Sequence, residues 1–328
     1  MILPVRLPPA VGPGDRIGVA ALSGPVDPRK LERGVETLRR LGFEPVLADN
    51  LASRHRFFAG TDAERLAAFH RLAADPDLPA IVFARGGHGL LRVLPGIDWD
   101  LLARRPRAYM GFSDLTPFLL EVVRRLRIAA FHGPMVAADL ARGQSLEEEA
   151  SFLDALAGRY PAEQPLSGWI RPPRDGAPVA GPLLGGCLSL LTSTLGTPYF
   201  PDLDGALLFI EDVNEEPYRV DRLLTHFRLS DNLAGIAGMI AGHFDGLGSV
   251  RASGSTGQDA AGVLPGAGAL LDVLDWGAVL AEGLEGFDWP IAAGLECGHF
   301  PPNRTLPLGI PARLEEEGRR LVLGGLGS

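Results

Sequence analysis

Gly111-Phe112-Ser113-Asp114 puts a hydroxyl where a short apolar run, Arg107 to Gly111, gives way to an amphipathic helical pattern. A serine on such a strand-to-helix turn projects from the carboxyl edge of a sheet, and the first N–H groups of the following helix face any negative charge that develops there. Two roles fit Ser113 on these grounds: a nucleophile for acyl transfer, or the N-cap of the helix, with Thr116 and Pro117 in a first turn that tolerates both. A nucleophile needs a base, and seven histidines supply the choices. His55, His70 and His226 fall in or beside helical patterns, as surface or boundary residues do. His88, His132, His243 and His299 each stand near a strand end. His299 is set apart by its context, Glu296-Cys297-Gly298-His299-Phe300-Pro301-Pro302-Asn303, where an apolar strand ends in glycine and prolines fix the loop; a purely structural histidine fits there as well. The acid to orient an imidazole has a similar signature. Leu207-Leu208-Phe209-Ile210-Glu211-Asp212 is an apolar strand that delivers two carboxylates at its end, although Glu211 through Glu216 also reads as a solvated acidic turn. The chain order Ser, Glu, His is one of several such triads permit. The turn Arg85-Gly86-Gly87-His88-Gly89 lacks the lysine of a P-loop and the spacing of a dinucleotide fingerprint. Its glycines suit a backbone N–H that approaches a reacting carbonyl, and equally a plain tight turn.

These residues need a scaffold, and the N-terminal part supplies a regular one. Strand patterns at Arg16 to Leu22, Glu44 to Ala48, Ala80 to Ala84, Arg107 to Gly111 and Ile128 to Phe131 alternate with helical patterns. One helix carries Leu31, Val35, Leu38 and Leu41 and stops at Gly42; another opens on a Thr61/Glu64 capping box and carries Leu66, Phe69 and Leu72. Repeated β-α units with near-continuous apolar strands imply a parallel sheet covered on both faces, a doubly wound α/β domain over 1–157. Ligands of such sheets bind outside the carboxyl ends of the strands, where the turns at Gly86 and Ser113 lie.

Prolines and scattered charges from 158 to 182 imply a linker. Residues 183–328 then form a second, smaller α/β or mostly β domain: a helix over Leu184 to Leu195, a strand at Ala206 to Ile210, a helix from Tyr218 to Leu229, strands near Ile236 to Ala241 and Ile291 to Leu295, and a low-complexity loop from Gly246 to Gly262.

The chain has 328 residues, of which 46% are hydrophobic, enough for two ordinary cores. A formal charge of −9 argues against nucleic acid, and no basic run marks a membrane-facing patch. Lys30 is the sole lysine and its neighbours read as a helix start, which sets aside Schiff-base and P-loop chemistry. Two cysteines, Cys187 and Cys297, are too few for a disulfide framework or a structural zinc site and read as free thiols of a reducing compartment. With early prolines and no apolar run of signal or spanning length, a cytoplasmic location is expected.

Several separate motifs, in order, give the sequence a resemblance to the LD-carboxypeptidases, a serine peptidase family that includes the microcin C immunity peptidases. They are Gly14-Asp15-Arg16-Ile17, Ala84-Arg85-Gly86-Gly87-His88-Gly89, Gly111 to Thr116, Phe131-His132-Gly133-Pro134, Leu183-Leu184-Gly185-Gly186, Phe209 to Val213, Pro217 to Arg222, Gly298-His299 and Thr305 to Gly309. The resemblance implies that Ser113 is the nucleophile, Glu211 the orienting acid and His299 the general base, with the backbone N–H groups of Gly87 and Asp114 as the oxyanion hole. It implies a small peptide substrate, most simply the tetrapeptide of recycled muropeptides with release of terminal D-alanine; the alternative is an aminoacyl or peptidyl nucleotide analogue. It also implies a homodimer, with no cofactor and no metal. The sequence departs from the family pattern at Cys187 in place of asparagine, at His88 in place of an aromatic residue, and around His299 at Cys297 and Phe300, which bears on substrate preference. Arg85 and Arg219 are candidate partners for a substrate carboxylate.

Overall fold

The computed structural model describes residues 5–159, 163–174, 177–244, 276–315 and 318–324; the low-complexity loop expected from Gly246 to Gly262 lies outside them. In chain order the elements are β1 (Arg16–Ala20), α1 (Pro28–Arg40), β2 (Glu44–Leu47), α2 (Asp62–Ala74), β3 (Ala80–Phe83), α3 (Leu90–Val93), α4 (Trp99–Arg104), β4 (Ala108–Gly111), α5 (Thr116–Leu126), β5 (Ala130–His132) and α6 (Leu146–Leu156). There follow β6 (Glu163–Pro165), β7 (Gly168–Arg171), β8 (Val179–Cys187), α7 (Leu188–Ser193), β9 (Leu207–Glu211), α8 (Pro217–Leu229), β10 (Gly238–Ala241), α9 (Trp276–Gly283), β11 (Ile291–Ala293), β12 (Leu306–Leu308), β13 (Pro311–Glu315) and β14 (Arg320–Leu323).

The first sheet has the order β12-β5-β4-β3-β1-β2, and its strands from β5 to β2 run parallel. This is the doubly wound α/β arrangement expected from the alternating patterns. Local chemistry sets its helix starts: Asp27 caps α1 by accepting from the N–H groups of Arg29 and Lys30, and Thr61 and Glu64 close the capping box of α2. β3 and β4 are buried along their whole length because helices cover both faces. The strand order reverses between β1 and β3, which opens a crevice at their carboxyl ends.

The second sheet has eight strands in the order β6-β14-β13-β8-β9-β10-β11-β7, with β8 to β11 parallel and the outer strands antiparallel. Two expectations change here. The proline-rich segment expected as a linker contributes β6 and β7, the two edge strands of this sheet, where a missing N–H costs no ladder bond. The helix expected from Leu184 is instead the end of β8, and helix begins only at Leu188. Gly185 and Gly186 decide this: with φ of 136° and 144° they are incompatible with helix, and a Cβ on Gly185 would stand 1.8 Å from the carbonyl oxygen of Phe209 on β9.

The two sheets are interlocked rather than tethered. β12 leaves the C-terminal part to pair antiparallel with β5, setting Leu306 opposite His132. On the other side, the N–H of Cys187 at the end of β8 donates to Thr116 Oγ1 at the start of α5 (3.2 Å).

Candidate active site

Ser113 follows β4 by two residues in a short 3-10 turn that leads into α5, with φ of 62° in the left-handed region. An N-cap has extended backbone and accepts an N–H from the first turn; Ser113 does neither, and no side-chain cap closes the start of either helical segment. A non-glycine residue held at positive φ stores about 1 kcal/mol or more of strain, as at the sharp turns that present nucleophiles. Asp114 fixes the turn: its Oδ2 accepts from the N–H of Leu90 at 2.8 Å and so binds the serine turn to the glycine turn after β3. Gly86 completes the fit. A Cβ there would stand 2.9 Å from Ser113 Cβ, 3.0 Å from its Oγ and 3.4 Å from the N of Asp114. Gly87, next in the chain, is exposed and takes a φ of 109°.

Glu211 ends β9, and its side chain is fully buried. His299 sits in the loop after β11, its Nδ1 2.6 Å from Glu211 Oε2 and its side chain 15% exposed. Phe112, adjacent to Ser113, packs edge-on against the His299 ring with centroids 4.9 Å apart. The structure thus brings Glu211 and His299 into direct contact, and the serine turn to the imidazole through Phe112.

The electrostatics follow from this pairing. Burial works against the imidazolium of His299, but the charge and hydrogen bond of Glu211, with the charges of Asp212 and Asp139, outweigh it and hold the pKa above its ordinary value. For Glu211, burial opposes ionisation, and the interactions with His299, joined by His132 and His243, overcome it, so its carboxyl stays below the usual range.

The remaining histidines take no part in the pair. His88 is exposed and stacks on Phe58, His70 Nε2 accepts from the N–H of Asp98, and His243 Nδ1 contacts the carbonyl of Phe300 at 3.0 Å. His132 is fully buried between Phe112 and Phe209, and burial pushes its pKa down to about 4. Among the described residues neither of its ring nitrogens has a hydrogen-bond partner, and nor does Glu211 Oε1.

One positioning residue was missed in the sequence. Asn303 is fully buried; its Oδ1 accepts from the N–H of Gly298 (3.1 Å), its N–H donates to Glu148 Oε1 (2.8 Å) and its Nδ2 to Asp139 Oδ1 (3.3 Å). It anchors the loop of His299 to helices of the N-terminal part. The available signal was a polar residue directly after Pro301-Pro302 in a segment too short for regular structure. Both cysteines are buried free thiols, with burial raising their pKa values well above the ordinary one. Among the described residues no group of three or more His, Cys, Asp or Glu is placed to hold a metal ion, and no helix is long and apolar enough to cross a membrane.

The model of the LD-carboxypeptidase N-terminal domain matches residues 17–133, and that of the LD-carboxypeptidase C-terminal domain matches residues 180–314. The chain belongs to the LD-carboxypeptidase family. The two matched spans contain all five residues that the sequence singled out for chemistry, Gly87, Ser113 and Asp114 in the first and Glu211 and His299 in the second. Among family members, the probable murein peptide carboxypeptidase of Bacillus subtilis is 32% identical over 96% of this chain and 93% of its own length. The microcin C7 self-immunity protein MccF of Escherichia coli is 27% identical over 94% of this chain and 93% of its own. The crystal structure of muramoyltetrapeptide carboxypeptidase from Oxalobacter formigenes superposes with a TM-score of 0.78 at 28% identity, covering 95% of this chain and all of that one.

Proposed function

We propose that this LD-carboxypeptidase family member is a muramoyltetrapeptide carboxypeptidase that cleaves the bond between an L-centre and a terminal D-alanine with a Ser113-Glu211-His299 triad. The contact between His299 Nδ1 and the buried Glu211 carboxylate carries the reading, because it fixes which nitrogen bears the proton. With Nδ1–H committed to Glu211, Nε2 is left unprotonated to act as base toward a serine. His299 takes the proton of Ser113 as its oxygen attacks the scissile carbonyl; the backbone N–H groups of Gly87 and Asp114 receive the oxyanion. The imidazolium returns that proton to the departing amine of D-alanine, and water, deprotonated by the same imidazole, releases the acyl group. Glu211 stays ionised and stabilises the imidazolium in both halves of the cycle.

The names borne by relatives favour the muropeptide over a nucleotide analogue: the Bacillus subtilis relative and the superposing Oxalobacter formigenes structure are both murein or muramoyl peptide carboxypeptidases. Two buried thiols fit a cytoplasmic enzyme, and a homodimer is part of the same reading. The test is an assay of the purified protein on a muropeptide tetrapeptide and, separately, on an aminoacyl sulfamoyl adenosine. Release of D-alanine is expected, and its loss in Ser113→Ala. Turnover of the nucleotide analogue alone would replace the muropeptide assignment, and a Ser113→Ala protein with wild-type turnover would remove the serine mechanism.

A further inference from the structure

Arg85 follows β3 at the crevice where the strand order of the first sheet reverses, the place where doubly wound sheets bind ligands. The segment after β1 lies against the turn after β3 there, with the N–H of Gly24 donating to the carbonyl of Gly86 at 3.1 Å. The Arg85 side chain runs between these two segments. Its Nη1 donates to the carbonyl of Pro25 (3.1 Å), its Nε lies 3.5 Å from where a Cβ on Gly24 would stand, and its Nη2 lies 3.4 Å from where one on Gly87 would stand. A guanidinium carries five N–H donors and is charged at every working pH. Pro25 takes one of them, and among the described residues no carboxylate pairs with Arg85. Its neighbours differ: Arg65 and Arg92 both pair with Asp62. A half-buried guanidinium without a counter-ion, beside the nucleophile's turn, is arranged for an anion that arrives with the ligand.

We propose that Arg85 binds the free C-terminal carboxylate of the peptide substrate and thereby restricts the enzyme to the terminal bond; this rests on the peptidase reading above. The carboxylate of a C-terminal residue is separated from the scissile carbonyl by only an amide nitrogen and an α-carbon, so its partner must stand within about a residue's length of the nucleophile. The observed placement that bears on this demand is that of Arg85 Nη2, which lies 3.4 Å from where a Cβ on Gly87 would stand, Gly87 being the residue after Gly86, whose own Cβ would meet Ser113 at 2.9 Å. An internal peptide bond brings no charge to this position and leaves the guanidinium donors without acceptors, which selects against it.

The experiment compares two matched peptides ending in D-alanine, one a free acid and one a C-terminal amide, on wild type, Arg85→Met and Arg85→Lys. Wild type is expected to prefer the acid. Arg85→Met should lower kcat/KM on the acid by about 10- to 100-fold and on the amide by much less, so that the preference collapses. Arg85→Lys should recover part of it, because lysine keeps the charge and loses the planar fork. Equal slowing on both peptides would reduce Arg85 to a support for Pro25 and overturn the proposal, as would a wild type indifferent to amidation. A wild type inactive on both peptides would remove the peptidase reading itself.

Discussion

Nδ1 of His299 stands 2.6 Å from Oε2 of Glu211, a carboxylate with no exposure to solvent, so one buried partner rather than water sets the charge of the imidazole. In the proposed mechanism the base is the neutral ring. Because the surrounding carboxylates raise the pKa of His299, the acid limb of kcat/KM should fall above the ordinary value of 6.5. Removing the charge of Glu211 takes away the main stabiliser of the imidazolium, so Glu211→Gln should move that limb to lower pH. Turnover should fall by about 10³- to 10⁴-fold, since the tautomer is no longer fixed. A pH–rate profile of the two proteins gives both readouts; a limb that stays in place would detach Glu211 from His299 in function.

Gly86→Ala tests how closely the glycine turn abuts Ser113. The added methyl would stand 2.9 Å from Ser113 Cβ and 3.0 Å from its Oγ, and the backbone at 86 is not in the left-handed region, so alanine introduces a steric clash without backbone strain of its own. The serine turn must give way. A displacement on the order of 1 Å at a reacting atom costs about 100-fold in rate, so kcat should drop by about that factor, with a loss of about 1–3 kcal/mol in stability from the overpacked contact. Full activity in Gly86→Ala would show that the two turns separate freely.

The sequence made the serine turn legible because two different periods meet at it, a continuous apolar strand ending at Gly111 and a helical stripe beginning at Leu115. The pairing of Glu211 with His299 could be named but not placed, since 88 residues separate them and only sheet order brings them together. What stayed hidden was long-range and short in sequence. Leu306-Pro307-Leu308 is too brief and too interrupted to read as a strand, yet as β12 it crosses to the first sheet and locks the loop of His299 against it. The prolines between 161 and 173 read as a linker because edge strands share the composition of loops. Asn303 bears no motif at all; its role arises from Glu148 and Asp139, more than 150 residues earlier in the chain.

The left-handed backbone of Ser113 predicts a difference between two variants that lack its hydroxyl. Ser113→Ala removes the hydroxyl and keeps the Cβ that makes a φ of 62° costly. Ser113→Gly removes both. An Ala-to-Gly change ordinarily destabilises by about 0.5–1 kcal/mol through backbone entropy; here relief of strain of about 1 kcal/mol or more should cancel it. Denaturant midpoints should place the glycine variant level with or above the alanine variant. A glycine variant less stable by the ordinary amount would mean that the serine turn holds no strain.

His132 gives the fold its own pH dependence, separable from catalysis. Its imidazole is fully buried, and burial lowers its pKa from 6.5 to about 4. In the unfolded chain the ring takes a proton as pH falls through 6.5, whereas in the folded protein it does so only near 4; the unfolded state therefore binds more protons across that window, and stability falls with pH by up to about 3 kcal/mol. His299 acts in another range: its raised pKa adds stability that is complete below 6.5 and is lost as pH rises through the folded value. Glu211, with its lowered pKa, loses its contribution only as pH drops through a folded value below 4.5. His132→Phe keeps a ring between Phe112 and Phe209 and removes two buried nitrogens that have no partner among the described residues. Unfolding free energies measured from pH 8 to pH 4 should therefore run parallel for the two proteins above 6.5 and diverge below it, the phenylalanine variant gaining up to about 3 kcal/mol on wild type by pH 4. Parallel curves throughout would mean that the buried imidazole finds a partner for its proton and titrates as it does in water.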